Sequence, residues 1–318
     1  MPSFQSRLIR FVIKHRHLLR FQLKKKDVFD FNTSIAGFRE DCEKGAGMFG
    51  KLPETIEVTP VNICHIKAEW IVPKGVGKDK VVFYTHGGGY VSGSCSDHRG
   101  LVSRIVKAVN IPALLFEYRL APEVPFPGAI EDSVEAYKWV LSQGVSPSNI
   151  VIIGESAGGG LALATLLALK EKGIELPSAA VAVSPWTDLK CTGESYRTKN
   201  DVSVAPLNSW TVFSKYYACD NDPGNPLISP LYGDLHGLPP LLLQAGEDDE
   251  LFDDSVQFAE KAGDAGVDVT FRKGKGMLHC YAFLPAFVPE SREAMEEILT
   301  FIKEHIGKVK SPDSLERA

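Results

Sequence analysis

The sequence predicts an α/β fold: a mostly parallel central sheet with helices on both faces, topped by a helical cap. Three observations predict it. From residue 81 onward, short apolar runs alternate with stretches of helical spacing. Those runs lack period-two polarity, as strands buried on both faces do. Two segments, residues 1–50 and 190–230, contain no strand-like text and adjoin the sheet segments, which assigns them to a cap over the active face. The expected organisation is therefore a first cap part (1–50), a first core part (51–189), a second cap part (190–230) and a second core part (231–318).

Taken in order, "TIEVTPVNICHIKAEWIVP" (55–73) fits an antiparallel hairpin that opens the sheet. "VVFYTH" (81–86) is a strand, followed by a helix over about 98–109. "PALLFEY" (112–118) is the next strand, and 128–143 has apolar residues at helical spacing. "IVIIG" leads into a helix after Ser156, and "AAVAVSPW" (179–186) and "PLLLQAG" (240–246) are further strands. A helix near 254–265, a strand "DVTFRKG" (268–274) and a helix near 290–307 complete the alternation. The Pro/Gly-rich stretch 220–234 is the one linker-like segment.

Composition narrows the function classes. The 318 residues are 44% hydrophobic and 24% charged, with a net charge of −5, too modest to argue for nucleic acid. No run approaches the roughly 18 apolar residues needed to span a bilayer, so no stable membrane insertion is expected. Six scattered cysteines without a C-x-x-C pair, and no leader-like segment, read as a reduced, cytoplasmic chain. No metal-ligand spacing such as H-E-x-x-H occurs, so neither metal nor cofactor is expected. Charge is uneven: residues 1–30 hold eight Lys or Arg against two Asp. There Leu8, Phe11, Val12, Leu18 and Leu19 fall on one helical stripe. That stripe fits either an interfacial helix or a cap helix packed on its own protein, and the second is expected.

Chemistry concentrates at three strand ends, where sites form in open α/β sheets. "GESAG" (154–158) places Ser156 between a buried strand and a helix, the setting of a nucleophile elbow. Glycines two before and two after let neighbouring backbone approach, and the helix N-terminus favours an anion there. A serine nucleophile needs a base, an orienting acid and oxyanion donors. "HGGGY" (86–90) offers bare backbone amides to an oxyanion, and the amide of Ala157 would complete that hole. Among eight histidines, His279 follows the last strand in a glycine-containing loop and comes after the serine and the acids, which makes it the natural base if the chain order is Ser, acid, His as in α/β-hydrolases. The acid lies among Glu247, Asp248 and Asp249, because Asp253 and Asp254 stand where the next helix begins and read as caps.

"HGGGY", "EYRLAPEVPFPGAIED" (117–132), "GESAGG" and "SPWTDL" (184–189), occurring in that order, resemble the hormone-sensitive-lipase-like family of α/β-hydrolase esterases. The resemblance spans about residues 55–305. It implies an α/β-hydrolase fold and hydrolysis of carboxylic esters through a Ser-His-Asp triad and an acyl-enzyme. The family's D-x-L-x-D pattern falls on Asp249-Glu250-Leu251-Phe252-Asp253 and implies Asp249 as the acid. It implies Gly88 and Gly89 as oxyanion donors and a structural role for His86. Glu155 stands where the family more often has Asp. The expected partner is a small ester with a short-to-medium acyl group, and family relatives are often homodimers. The rival expectations are an interfacial lipase, supported by the basic N-terminus alone, and a non-catalytic binding protein, which would tend to lack a histidine at 279.

Overall fold

A computed structural model describes residues 2–15, 28–46 and 52–308. Eight strands form one sheet in the order β1-β2-β4-β3-β5-β6-β7-β8. The hairpin β1 (Ile56–Ile63) and β2 (Ile66–Pro73) is antiparallel, and β2 pairs antiparallel with β4 (Ala113–Phe116). The other strands, β3 (Val81–Thr85), β5 (Ile150–Glu155), β6 (Ala179–Val183), β7 (Leu241–Gly246) and β8 (Val269–Gly274), run parallel. Period two, invisible in the polarity of these runs, is visible in their packing. Val81, Phe83, Ile150, Ile152, Leu241 and Leu243 join the core on one face. Val82, Tyr84, Val151, Ile153 and Leu242 join the core on the other.

The connecting helices cover both faces: α3 (Cys95–Val109), α4 (Gly128–Ser142), α5 (Ala157–Glu171), α8 (Phe252–Asp264) and α9 (Pro289–His305). Helix α3 starts three residues earlier than the expected His98, because the Ser94 hydroxyl accepts the Asp97 amide at 3.2 Å and caps it. Asp253 and Asp254 do lie in the first turn of α8, yet their carboxylates hold other segments. Asp253 accepts from the Ser195 amide, and Asp254 from the amides of Thr187 and Asp188.

The two strand-free segments meet above the sheet's carboxyl ends. Helices α1 (Phe4–Lys14) and α2 (Ile35–Ala46) come from the first, and α6 (Ser195–Thr198) and α7 (Ser209–Ala218) from the second. A parallel bridge joins Val28 to Leu207, and the Phe29 ring packs 5.2 Å from Phe38 and 4.9 Å from Phe213. Arg39 on α2 donates to the carbonyls of Val91 and Ala121 and pairs with Glu123, which fastens α2 to the loops after β3 and β4.

Helix α1 is held differently from the expectation. Its apolar stripe does not pack on the protein: Phe4, Leu8, Phe11 and Val12 are exposed. The opposite face docks, because Ser3 and Ser6 donate to the Glu290 carboxylate at 2.8 and 2.7 Å and Arg10 pairs with Asp248 at 2.7 Å. Leu18 and Leu19 lie outside the described residues. Among the described residues, no helix is long and apolar enough to cross a membrane.

Candidate active site

The site begins where β5 turns into α5. Ser156 sits between them at φ 56° and ψ −125°, a conformation that costs a non-glycine residue of the order of 1–3 kcal/mol and persists only where surroundings enforce it. Here they do: the Ser156 amide donates to the Val183 carbonyl at 2.9 Å, and its own carbonyl accepts from Trp186 and Gly160. The flanking glycines are steric requirements. A Cβ at Gly154 would lie 2.2 Å from the Gly158 carbonyl oxygen, and one at Gly158 would lie 2.2 Å from that of Thr85.

The loops after β7 and β8 bring an acid to an imidazole. His279 Nδ1 lies 2.9 Å from Asp249 Oδ2 and 3.0 Å from Oδ1, and Asp249 is buried. A carboxylate only accepts, so Nδ1 carries the hydrogen and Nε2 is left as the lone-pair nitrogen of the neutral ring. Asp249 Oδ1 also accepts the Leu251 amide at 3.0 Å, which fixes the carboxylate's orientation. The adjacent acids are committed elsewhere. Asp248 pairs with Arg10 and Lys199, and Glu250 accepts from Trp210 Nε1 at 2.8 Å and from the Ser203 hydroxyl. Burial acts to depress the imidazolium of His279, but the Asp249 carboxylate outweighs it and lifts the ring well above its usual range.

The glycine loop after β3 is fixed one peptide at a time. The Gly87 amide donates to Glu155 Oε1 at 2.7 Å, and the Gly87 carbonyl accepts from His86 Nδ1 at 2.8 Å. The Gly88 carbonyl accepts from the Val91 amide, the Ser92 amide and the Ser92 hydroxyl. In a planar trans peptide the N–H points opposite the preceding C=O. Pinning those two carbonyls therefore aims the Gly88 and Gly89 amides the other way, and neither donates to a partner among the described residues. Gly88 at φ +120° and Gly89 at φ +65° need glycine for this path, and Gly88 would place a Cβ 2.2 Å from the Ser92 carbonyl oxygen. The Ala157 amide, in the first turn of α5, has no partner within its own helix.

Behind the loop lies a buried cluster. His98 Nε2 on α3 pairs with Glu155 Oε1 at 2.9 Å, the same oxygen that holds the Gly87 amide. Burial works against the His98 imidazolium, but Glu155 raises it above its ordinary range. His86 goes the other way: burial, and then the neighbouring His98, push it down to about 3, so it is neutral. His86 stacks on Tyr118 at 4.2 Å, which suits a structural part.

Ser156, His279, Gly88 and Gly89 all line a single cavity of about 370 Å³. Its apolar wall comes from the strand-free segments: Phe38, Val204, Pro206, Trp210 and Phe213. Trp210 meets the His279 ring edge-on at 5.8 Å. Its polar end holds Asp97, His98 and Glu155. The structure brings together Ser156, Asp249, His279 and the glycines named from the sequence, and adds His98, Glu155 and this aromatic wall, which sequence reasoning did not name as site residues. Glu155 carried one signal, an ionisable residue ending an otherwise apolar strand. The wall carried none, since its rings come from segments some 175 residues apart. Among the described residues, no group of three or more His, Cys, Asp or Glu is placed to hold a metal ion.

Comparison with known proteins adds to this geometry. A family profile described as "alpha/beta hydrolase fold" matches residues 82–283. An acetyl-hydrolase of Streptomyces hygroscopicus is 40% identical over 252 residues, 78% of this chain and 83% of its own. An esterase of Acinetobacter venetianus is 36% identical over 250 residues, 78% of this chain and 82% of its own. Among solved structures, an esterase of the bacterial hormone-sensitive lipase family superposes with a TM-score of 0.86 at 36% identity, covering 96% of this chain and all of its own.

Proposed function

Because the chain belongs to the α/β-hydrolase fold family, and within it to the hormone-sensitive-lipase-like serine carboxylesterases, we propose that Ser156, His279 and Asp249 form its catalytic triad. The observation that carries this reading is the 2.9 Å contact of His279 Nδ1 with the buried Asp249, made on the wall of the cavity that also receives Ser156. In the proposed reaction Ser156 Oγ attacks the ester carbonyl carbon as its proton passes to His279 Nε2. The amides of Gly88, Gly89 and Ala157 hold the oxyanion, and Asp249 stabilises the imidazolium and keeps the ring's tautomer. The alcohol leaves with the proton from Nε2. Water, deprotonated by the same nitrogen, then attacks the acyl-enzyme and releases the acid and Ser156.

The substrate reading is an ester with a short-to-medium acyl chain. The cavity volume and its aromatic wall support it, as does the Streptomyces relative described as an acetyl-hydrolase. Residues 1–50 and 190–230 act in this reading as the cap that sizes the acyl pocket, over a core of 51–189 and 231–318. A cytoplasmic location is in keeping with six cysteines that are all free thiols. A homodimer belongs to the reading as the family resemblance gave it, and sedimentation velocity of the full chain checks it.

The test is hydrolysis of p-nitrophenyl esters from acetate to palmitate by the wild type and by Ser156→Ala. A Ser156-dependent optimum at short or medium chains is expected. Substantial turnover by Ser156→Ala removes the serine from its role, and an optimum at palmitate removes the short-chain reading.

A further inference from the structure

The least expected feature of the molecule is the orientation of α1. A surface helix normally buries its apolar stripe and leaves its polar side to water. Here Phe4, Leu8, Phe11 and Val12, at i, i+4, i+7 and i+8, remain 69%, 50%, 60% and 40% exposed. The docked face carries Ile9, partly buried against the core, and is fastened by polar contacts: Ser3 and Ser6 to Glu290, Arg10 to Asp248 and Lys14 to Asp201 at 3.9 Å. Those anchors fix which face looks outward. Arg7 is exposed on the same helix, and the first 30 residues carry eight Lys or Arg against two Asp in a chain whose net charge is −5. Two further exposed apolar residues sit near the anchors, Phe287 three positions before Glu290 and Val204 three positions after Asp201. Val204 also lines the cavity, and Asp248 is next to Asp249, so the docked face of α1 is anchored on segments that reach the site.

We propose that α1 is a surface-docking helix that seats the enzyme on an anionic phospholipid bilayer, its Phe4–Leu8–Phe11–Val12 stripe entering the interface while the exposed Arg7 meets the headgroups. Such a helix combines an apolar face with flanking cations, and its binding scales with both terms. It lies on the surface and does not span it. Docking in this way brings the cavity to a phase where esters of low water solubility accumulate. The proposal goes beyond the catalytic reading and does not depend on which residues carry the chemistry.

The experiment is co-sedimentation of the full chain with vesicles of phosphatidylcholine alone or mixed with phosphatidylglycerol, for the wild type and for the triple variant Phe4→Ser, Leu8→Ser, Phe11→Ser. The wild type is expected to partition onto the mixed vesicles and weakly onto the neutral ones, with loss of binding at high salt. The triple variant is expected to partition at least about tenfold less while hydrolysing p-nitrophenyl acetate in vesicle-free buffer at the wild-type rate. As a second reading, Phe11→Trp should gain quenching by bromine-labelled lipid chains beyond that of the native tryptophans. No partitioning of the wild type, equal partitioning of the triple variant or no added quenching overturns the proposal. So does a dimer that the triple variant dissociates, since a second copy then covers the stripe. Failure of p-nitrophenyl acetate turnover would count against the esterase reading and leave this one standing.

Discussion

The two walls of the cavity are built on different principles. On the sheet side, the oxyanion loop and the elbow are tied through their own backbone. Gly87, Gly88 and Ser156 each have an amide or carbonyl held by a named partner, and several approaches leave no room for a Cβ. On the cap side, Phe38 and Phe213 meet through a ring contact and Trp210 is held by its ring neighbours and its bond to Glu250, with little shared backbone pairing beyond the Val28–Leu207 bridge. The first wall tolerates almost no change of backbone path, because charge stabilisation depends on where amides point. The second can be repacked, because apolar shape is satisfied by many side chains. The proposed reaction thus places chemistry on the first and selectivity on the second.

The largest expected effect breaks the sheet side at its acid. Asp249→Asn should lower kcat by about 10⁴-fold, since an amide cannot hold the His279 tautomer or its charge. Asp248→Asn should stay near the wild type in kcat, because that carboxylate serves Arg10 and Lys199. Steady-state kinetics of the two variants on one p-nitrophenyl ester decide it, and the reverse ranking would move the acid by one residue.

Next comes the loop. Gly88→Ala puts a methyl group where the Ser92 carbonyl oxygen would be 2.2 Å away, at a φ of +120° that alanine avoids. Displacing the donors should cost about 10²- to 10³-fold in kcat, with a smaller change in KM, because the lost interaction forms in the transition state. A rise in KM with kcat unchanged would place these amides in substrate binding only.

How far each wall was legible in the sequence follows from the same contrast. The strands could be read because burial on both faces leaves uninterrupted runs such as "VVFYT" and "IVIIG". The glycine motifs could be read because backbone constraints select residue type locally. Among Glu247, Asp248 and Asp249, local reasoning could not choose. Selection comes from the turn, in which the Asp249 amide donates to Gly246 and its carbonyl accepts from Phe252. The cap was legible as a leftover, not as a shape, since the rings that wall the cavity meet only through long-range packing. The stripe on α1 was visible as periodicity, but periodicity does not say which face docks; Ser3, Ser6 and Glu290 decide that.

The cap side should yield a smaller, substrate-dependent effect. Phe213 packs directly over Gly89, whose added Cβ would lie 2.4 Å from the ring. Phe213→Ala should therefore lengthen the acyl pocket, lowering kcat/KM on acetate by about tenfold relative to the wild type and moving the optimum to longer chains. It should also cost about 3–5 kcal/mol of stability as a buried aromatic truncation, read as a lower Tm. An unchanged chain-length profile would take Phe213 out of the acyl pocket.

The smallest effect, a shift along the pH axis, separates two imidazoles on the sheet side itself. His279 and His98 each stand beside a carboxylate that raises them above the ordinary histidine value of 6.5. Only a neutral His279 accepts the proton of Ser156, so kcat/KM should rise with pH through a midpoint above 6.5. Stability runs oppositely. A raised folded-state value stabilises fully below the unfolded value of about 6.5, and that contribution is lost as pH climbs through the raised one. Activity should therefore increase over the same window in which the thermal midpoint declines. Asp249→Asn should move the activity midpoint down, because the charge that raised His279 is gone. Glu155→Gln should leave that midpoint in place and lower kcat at every pH, because it loosens the Gly87 anchor without touching the base. If Glu155→Gln moved the midpoint as far as Asp249→Asn, the titration would belong to His98, and the profile would report the integrity of the oxyanion loop instead of the state of the base.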